Sequence, residues 1–292
     1  MNRRRFLLAL AAASGSALAQ TAPKLDVPFG PTGFALVDAM LRVAGVGPRD
    51  YLIDLGSGDG RINIAAAREF GVHGTGFELD PALVRQSREW AQLAGVSDKV
   101  HFVEEDLFRA DLSRATVVAI YLGPLVTPRV RPKLLAELKP GTRIVSHNFE
   151  FGGWQPDLVV HPRDVGARVL FWWVPARIAG TWRGRLALPQ GSIDYAFDLT
   201  QRFQQVDGTA RAAGVEVTFR DARLEGTRFS FLLMERRGND FRFRRFLGEV
   251  RGEAMEGHFR VEREDERTET SFRMERVSAV DPGPAGAWHY RN

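Results

Sequence analysis

"YLIDLGSGDGRINIAAA", residues 51–67, decides the fold. Tyr51 to Leu55 is a short apolar run bounded by Gly56, the pattern of a buried strand. From Arg61 the residues favour helix, with Ile62, Ile64, Ala65, Ala66 and Ala67 in close succession. Gly56, Gly58 and Gly60 therefore fall on the turn at the carboxyl end of a strand. In an open α/β sheet that is where ligands bind.

The flanking sequence repeats the strand-to-helix alternation. After the Pro/Gly loop "KLDVPFGPTG" (24–33), Phe34 to Val43 predicts a helix with Leu36, Met40 and Leu41 on one face. "HGTGFELD" (73–80) predicts a second strand ending in acids, and Pro81 opens a helix that Gly95 closes. "KVHFVEEDLF" (99–108) and "ATVVAIYLG" (115–123) give the third and fourth strands. "PRVRPKLLAELKPG" (128–141) predicts a helix, and "TRIVSHNF" (142–149) a fifth strand. "DLVVHP" and "ARVLFWWVPA" follow with a short connection, which predicts a closing antiparallel hairpin. The expectation is an α/β, Rossmann-like parallel sheet.

At 292 residues the chain suggests two domains. Hydrophobic residues at 44% and charged residues at 26% describe an ordinary globular protein. The absence of cysteine excludes disulfides, thiolate metal sites and a cysteine nucleophile. The six histidines form no H-x-x-x-H pair, so no metal is expected. Residues 1–19 are expected to be a bacterial signal peptide: Arg3, Arg4 and Arg5 precede an apolar stretch, Phe6 to Ala12, and Ala17-Leu18-Ala19 forms a cleavage site before Gln20. "RRRFLL" resembles a twin-arginine signal, which implies a periplasmic protein, or a cytoplasmic one if the leader does not function. The apolar core is too short to span a bilayer, so no stable membrane span is expected after cleavage. Removing three arginines from 40 basic residues leaves near balance with 36 acids, so the basic balance gives no argument for nucleic acid binding.

Two cofactors compete for the glycine turn. A dinucleotide site carries G-x-G-x-x-G and brings a pyrophosphate onto a helix N-terminus. Here the spacing is G-x-G-x-G, spanning Gly56, Ser57, Gly58 and Gly60, and Asp54 precedes it. A carboxylate facing that turn repels a pyrophosphate and suits the ammonium of an amino-acid moiety. Glu78, ending the second strand, is placed to accept both hydroxyls of a ribose. Asp106 and Leu107, ending the third, are placed to accept from an adenine amino group and to donate a backbone N–H to its ring. Together these point to S-adenosyl-L-methionine (SAM).

"DLGSGDGR", "GFELD", "EEDLF" and the terminal hairpin resemble class I, seven-β-strand SAM-dependent methyltransferases over about residues 25–178. "VVAIYLGP…LLAELKPGTRIVSHNFEFGGWQPD" is similar to the protein lysine methyltransferases related to the mitochondrial ATP-synthase c-subunit enzyme. That resemblance implies transfer of the SAM methyl group to an acceptor nitrogen, a protein lysine. It also implies that "VPFGPT" covers the cofactor, with Pro31 and Thr32 near its methionine end. The fourth and fifth strand ends supply the candidate catalytic residues Tyr121, Ser146, Asn148 and Trp154, with His147 and Glu150 beside them. Tyr121 is expected to orient the nitrogen. Phe149, Phe151 and Trp154 can surround an amine or pack as a lid on the core. His147 is read as structural, and Arg61 as a helix cap or the partner of a nearby carboxylate. The chain has no N-P-P-Y motif, which argues against nucleic acid or glutamine amide as acceptor.

From Ala179 short runs alternate apolar and polar residues, with glycines at 180, 208, 226 and 257 expected at strand starts. An antiparallel meander of about eight strands follows, a barrel or a sandwich. The domain expectation is a leader (1–19), a methyltransferase domain (20–178), a β-domain (179–280) and a flexible tail (281–292). "GTW" resembles the opening of lipocalin-like barrels. Two alternatives stand beside the enzyme: an exported SAM-binding protein without turnover, and a lipocalin-like ligand carrier.

Overall fold

A computed structural model describes residues 29–163, 166–188, 191–237, 240–262 and 267–279. The leader, the first part of the 24–33 loop and the tail lie outside the described residues. The first half is α1 (Phe34–Val43), β1 (Tyr51–Leu55), α2 (Arg61–Phe70), β2 (His73–Glu78), α3 (Pro81–Leu93), β3 (Val100–Glu104), β4 (Val117–Ile120), α4 (Gly123–Glu137), β5 (Arg143–His147), β6 (Leu158–Val160) and β7 (Val169–Trp173). These strands form one sheet in the order β3-β2-β1-β4-β5-β7-β6. β1 to β5 run parallel, β7 is antiparallel to β5, and β6 is antiparallel to β7.

The strands read as continuous apolar runs because both faces are covered. Leu52 of β1 faces one cluster with Leu36 and Met40 of α1, while Ile53 faces another with Val126 and Val130 of α4. β1 pairs with β2 on one side and β4 on the other, so strand order reverses there. The crevice at a parallel sheet's carboxyl end opens at that reversal.

Local chemistry sets the ends. α2 lies between Gly60 and Gly71, both left-handed, at φ 79° and 70°. β2 stops at Glu78 because the Asp80 carboxylate caps α3, accepting from the Ala82 N–H at 2.8 Å. β3 ends at Glu104, ahead of a turn in which Asp106 Oδ1 accepts from Phe108 N–H at 2.9 Å. β5 ends at His147 because Asn148 turns left-handed, φ 64°. α4 differs most from expectation: it starts at Gly123, with Pro128 and Pro132 inside it. The Thr127 hydroxyl donates to the Gly123 carbonyl at 2.7 Å in its first turn. It stops at Glu137, just before Lys139-Pro140, where a proline disfavours helix in the residue ahead of it.

The second half is β8 (Gly180–Leu188), β9 (Gly191–Arg202), β10 (Gln205–Ala212), β11 (Val215–Glu225), β12 (Arg228–Arg237), β13 (Asp240–Arg251), β14 (Ala254–Glu262) and β15 (Arg267–Ala279). They close as a barrel, β15 pairing back onto β8, so the sandwich alternative does not apply. Of the four expected strand-opening glycines only Gly180 opens one. Gly226 lies in the turn before β12, while Gly208 and Gly257 lie inside β10 and β14. The reason is close approach: a Cβ on Gly257 would lie 2.0 Å from the Leu247 carbonyl oxygen. Trp182, Phe197, Phe229, Phe231, Phe246 and Phe259 fill the barrel interior, all fully buried. Among them Glu235 pairs with Arg244, and Tyr195 donates to Glu235 Oε1 at 2.7 Å.

Candidate active site

Three strand ends and one loop build a cleft over the carboxyl edge of the sheet. At the end of β1, Asp54 is 1% exposed and its Oδ2 has no hydrogen-bond partner among the described residues. Burial, then the charges of Glu78 and Asp59, push its carboxyl up to about 8. The turn that follows is left-handed at Gly56, Gly58 and Gly60, with φ 77°, 55° and 79°. Ser57 is buried within it, its hydroxyl also without a partner among the described residues. A Cβ on Gly58 would lie 2.6 Å from the Phe29 ring, so this glycine lets the covering loop close on the turn.

Glu78 ties the second strand end to that turn. Its Oε2 accepts from Gly58 N–H at 2.9 Å, and its Oε1 accepts from Leu79 and Asp80 N–H at 2.8 and 3.0 Å. A carboxylate has about four acceptor positions, so three donors leave room for little else until one gives way. Asp106 and Leu107 line the cleft after β3. Asp59 pairs with Arg61, whose Nε donates at 2.9 Å and whose Nη1 donates to the Thr32 carbonyl at 2.8 Å. Arg61 is thus a carboxylate's partner and a latch for the loop.

The far wall is Tyr121, just after β4. Its ring stacks on His147 at 3.8 Å and on Phe149 at 5.9 Å. His147 Nδ1 lies 3.2 Å from the Thr32 hydroxyl, and burial pushes the imidazole down to about 4. It is therefore neutral at pH 7 and adds no positive charge to this wall.

The structure brings Thr32, Asp54, Gly56, Ser57, Gly58, Glu78, Asp106, Leu107 and Tyr121 to one cleft, with Gly60 starting α2 below it. It does not bring Ser146, Asn148 or Trp154 there. Ser146 is fully buried and donates to the Phe149 carbonyl at 2.8 Å. Asn148 Oδ1 accepts from the Arg168 N–H at 2.7 Å. Trp154 and Phe151 are core side chains, and the Trp154 indole donates to Gln204 Oε1 at 3.0 Å. Of the two roles open to the aromatics, packing is the one Phe151 and Trp154 take. Sequence reasoning missed Phe29, Asp59, Glu105 and Phe108 as lining residues. Asp59 stood inside the glycine motif and Phe29 inside "PFGPT", so motif membership was the available signal.

Five carboxylates line the cleft (Asp54, Asp59, Glu78, Glu105, Asp106), against one arginine that is already paired. That balance disfavours a pyrophosphate and favours a cationic ligand. An unpartnered buried carboxyl and hydroxyl beside a glycine turn fit the ammonium end of SAM, and the next two strand ends bring the further acceptors Glu78 and Asp106 to the same cleft.

The fold and cleft define a SAM-dependent methyltransferase. Residues 54–158 match the family model of the ANTKMT methyltransferase domain. A protein-lysine N-methyltransferase of Saccharolobus islandicus is 42% identical over 139 residues, 47% of this chain and 86% of that one. The chain belongs to this methyltransferase family. The ATP synthase c-subunit lysine N-methyltransferase of Mus musculus is 39% identical over 134 residues, 46% of this chain and 53% of its own length. A crystal structure of an RNA methyltransferase from Salinibacter ruber, in complex with S-adenosyl-L-homocysteine, is 50% identical with a TM-score of 0.50 and covers 51% of this chain and 96% of that one.

Proposed function

We propose that this methyltransferase acts on the side-chain amine of protein lysines. The observation that carries the reading is the match to lysine N-methyltransferases, which covers 86% of the archaeal relative. The acidic cleft supports it, since an approaching lysine is cationic and a nucleic acid backbone is not. The identity to a protein described as an RNA methyltransferase favours RNA as the second reading.

Bound SAM supplies a methyl group already activated on a sulfonium. The chain's residues have three tasks. Asp54, the glycine turn, Glu78 and Asp106-Leu107 hold the cofactor at the methionine, ribose and adenine ends in turn. The loop carrying Phe29 and Thr32 excludes water. Tyr121 meets the acceptor, its hydroxyl accepting a hydrogen bond from the nitrogen so that the lone pair points along the line of transfer. The amine must lose its proton first, to solvent, and neutral His147 behind the Tyr121 ring does not oppose the approach of a cation.

Incubation with methyl-labelled SAM and an envelope protein extract, followed by acid hydrolysis, tests the acceptor. Methyl-lysine is the expected product. Label that ribonuclease releases, with no methyl-lysine, would move the assignment to RNA. We also propose export through the twin-arginine leader. Replacing Arg3 and Arg4 with lysine should retain the protein in the cytoplasm, and efficient export of that variant would refute the route.

A further inference from the structure

The barrel meets the methyltransferase half through the β11–β12 turn, where Gly226 lies against Gly141 and Trp173, and through the β9–β10 turn. Phe203 and Gln204 join β9 to β10, and Phe203 is held left-handed, φ 55°, and 3% exposed. A non-glycine residue keeps that conformation only where its surroundings hold it. Its ring stacks on Trp154 at 5.8 Å. Gln204 accepts from the Trp154 indole at 3.0 Å and donates to the Gln155 carbonyl at 2.7 Å. Arg131 of α4 lies 5.6 Å from the Phe203 ring centre and donates to the carbonyls of Phe151, at 2.8 Å, and Gly152.

All these contacts converge on the loop between β5 and β6. It has positive φ at Asn148, Gly152 and Gly153, and backbone bonds tie its ends, the Asn148 N–H donating to the Arg168 carbonyl at 3.0 Å and the Asp157 N–H to the Phe171 carbonyl at 2.8 Å. Between those ends, side chains hold it. Its barrel end is anchored by the fully buried Trp154, and its cleft end is the Phe149 ring stacked on Tyr121. The loop therefore joins the barrel turn to the wall where the acceptor is proposed to meet the methyl group.

We propose that the Phe203–Gln204 turn is a positioning element of the methyl-transfer site, holding the 148–157 loop and through it the Phe149–Tyr121 stack. Phe203 and Gln204 touch neither cofactor nor acceptor. They act through Trp154, which explains why a tryptophan remote from the cleft belongs to this segment. The inference rests on the acceptor reading above for its effect on turnover, but not for its effect on the loop.

The test uses the full chain carrying Phe203→Ser, with Gln204→Ala as a milder variant and Phe203→Tyr as the conservative one. Amide exchange of residues 148–157 should quicken about tenfold while β1 and β2 stay protected, because only local opening is changed. The SAM dissociation constant should stay within about twofold, while kcat on the envelope extract falls about tenfold through lost alignment. Phe203→Tyr should restore both. Unchanged exchange at 148–157 in the Ser and Ala variants would overturn the proposal. So would a loss of SAM affinity as large as the loss of turnover, which would mark general destabilisation. If the wild type labels no protein lysine, the acceptor reading fails, and the exchange measurement still decides this one.

Discussion

The two halves of this protein treat a buried carboxylate differently. Inside the barrel, the Glu235 carboxylate is paired with Arg244 and accepts from Tyr195, though the Arg244 Nε has no partner among the described residues. In the cleft, Asp54 and Ser57 are as deeply buried, yet each has an oxygen with no partner among the described residues. A buried carboxylate with no counter-charge costs stability, and a cation bound beside it offsets that cost. The difference separates a half built for packing from a half built for binding, and it weighs against the ligand-carrier alternative. Among the described residues no helix is long and apolar enough to cross a membrane, which says nothing of a β-barrel.

The contrast breaks most visibly on the packing side. Phe246 is fully buried, with ring centres at 4.6 Å from Phe231, 5.5 Å from Phe259 and 5.3 Å from Phe272. Phe246→Ala should cost about 3–5 kcal/mol of barrel stability, read from denaturant unfolding. SAM affinity under native conditions should barely move. A comparable loss of SAM binding in the folded variant would show that the halves do not divide labour this way.

On the binding side, Glu78→Ala should weaken SAM by about 1–3 kcal/mol if Glu78 holds the ribose as proposed, since it also frees the Gly58 N–H that anchors the turn. Calorimetric titration would check this. An unchanged affinity would remove Glu78 from the cofactor site.

Much of this was legible in the sequence because the informative residues are local. α1 and β1 have the expected bounds and α2 the expected start, since Pro/Gly turns and left-handed glycines mark those ends. That these polar residues share one cleft was legible because they lie at or near the ends of successive strands, and sequence order maps directly onto those ends. α4 was misplaced because a proline reads as a helix start, whereas here two prolines are carried within a helix. The acceptor side was less legible for a different reason. Ser146 and Asn148 flank His147 in sequence, but strand alternation and the left-handed turn at Asn148 send them away from the cleft. Trp154 could not be placed from its own segment, because the partner that fixes it, Gln204, lies 50 residues further along.

Asp54 offers the most direct test of the claim that the cleft is built around a cation. Before SAM binds, burial and two neighbouring carboxylates raise its carboxyl to about 8, well above the unfolded value of 3.8. A raised folded value means that its contribution to stability is fully present below about pH 4 and is lost as pH rises through about 8. A cation bound beside it lowers that value again. SAM binding at pH 7 should therefore release a proton, and affinity should rise between pH 6 and 8 and then level off. Calorimetry of SAM binding at pH 7 in two buffers of different ionisation enthalpy measures this. The account predicts proton release in the wild type that disappears in Asp54→Asn, together with weaker binding by that variant. Binding with no proton release, or the same release and affinity in Asp54→Asn, would contradict it.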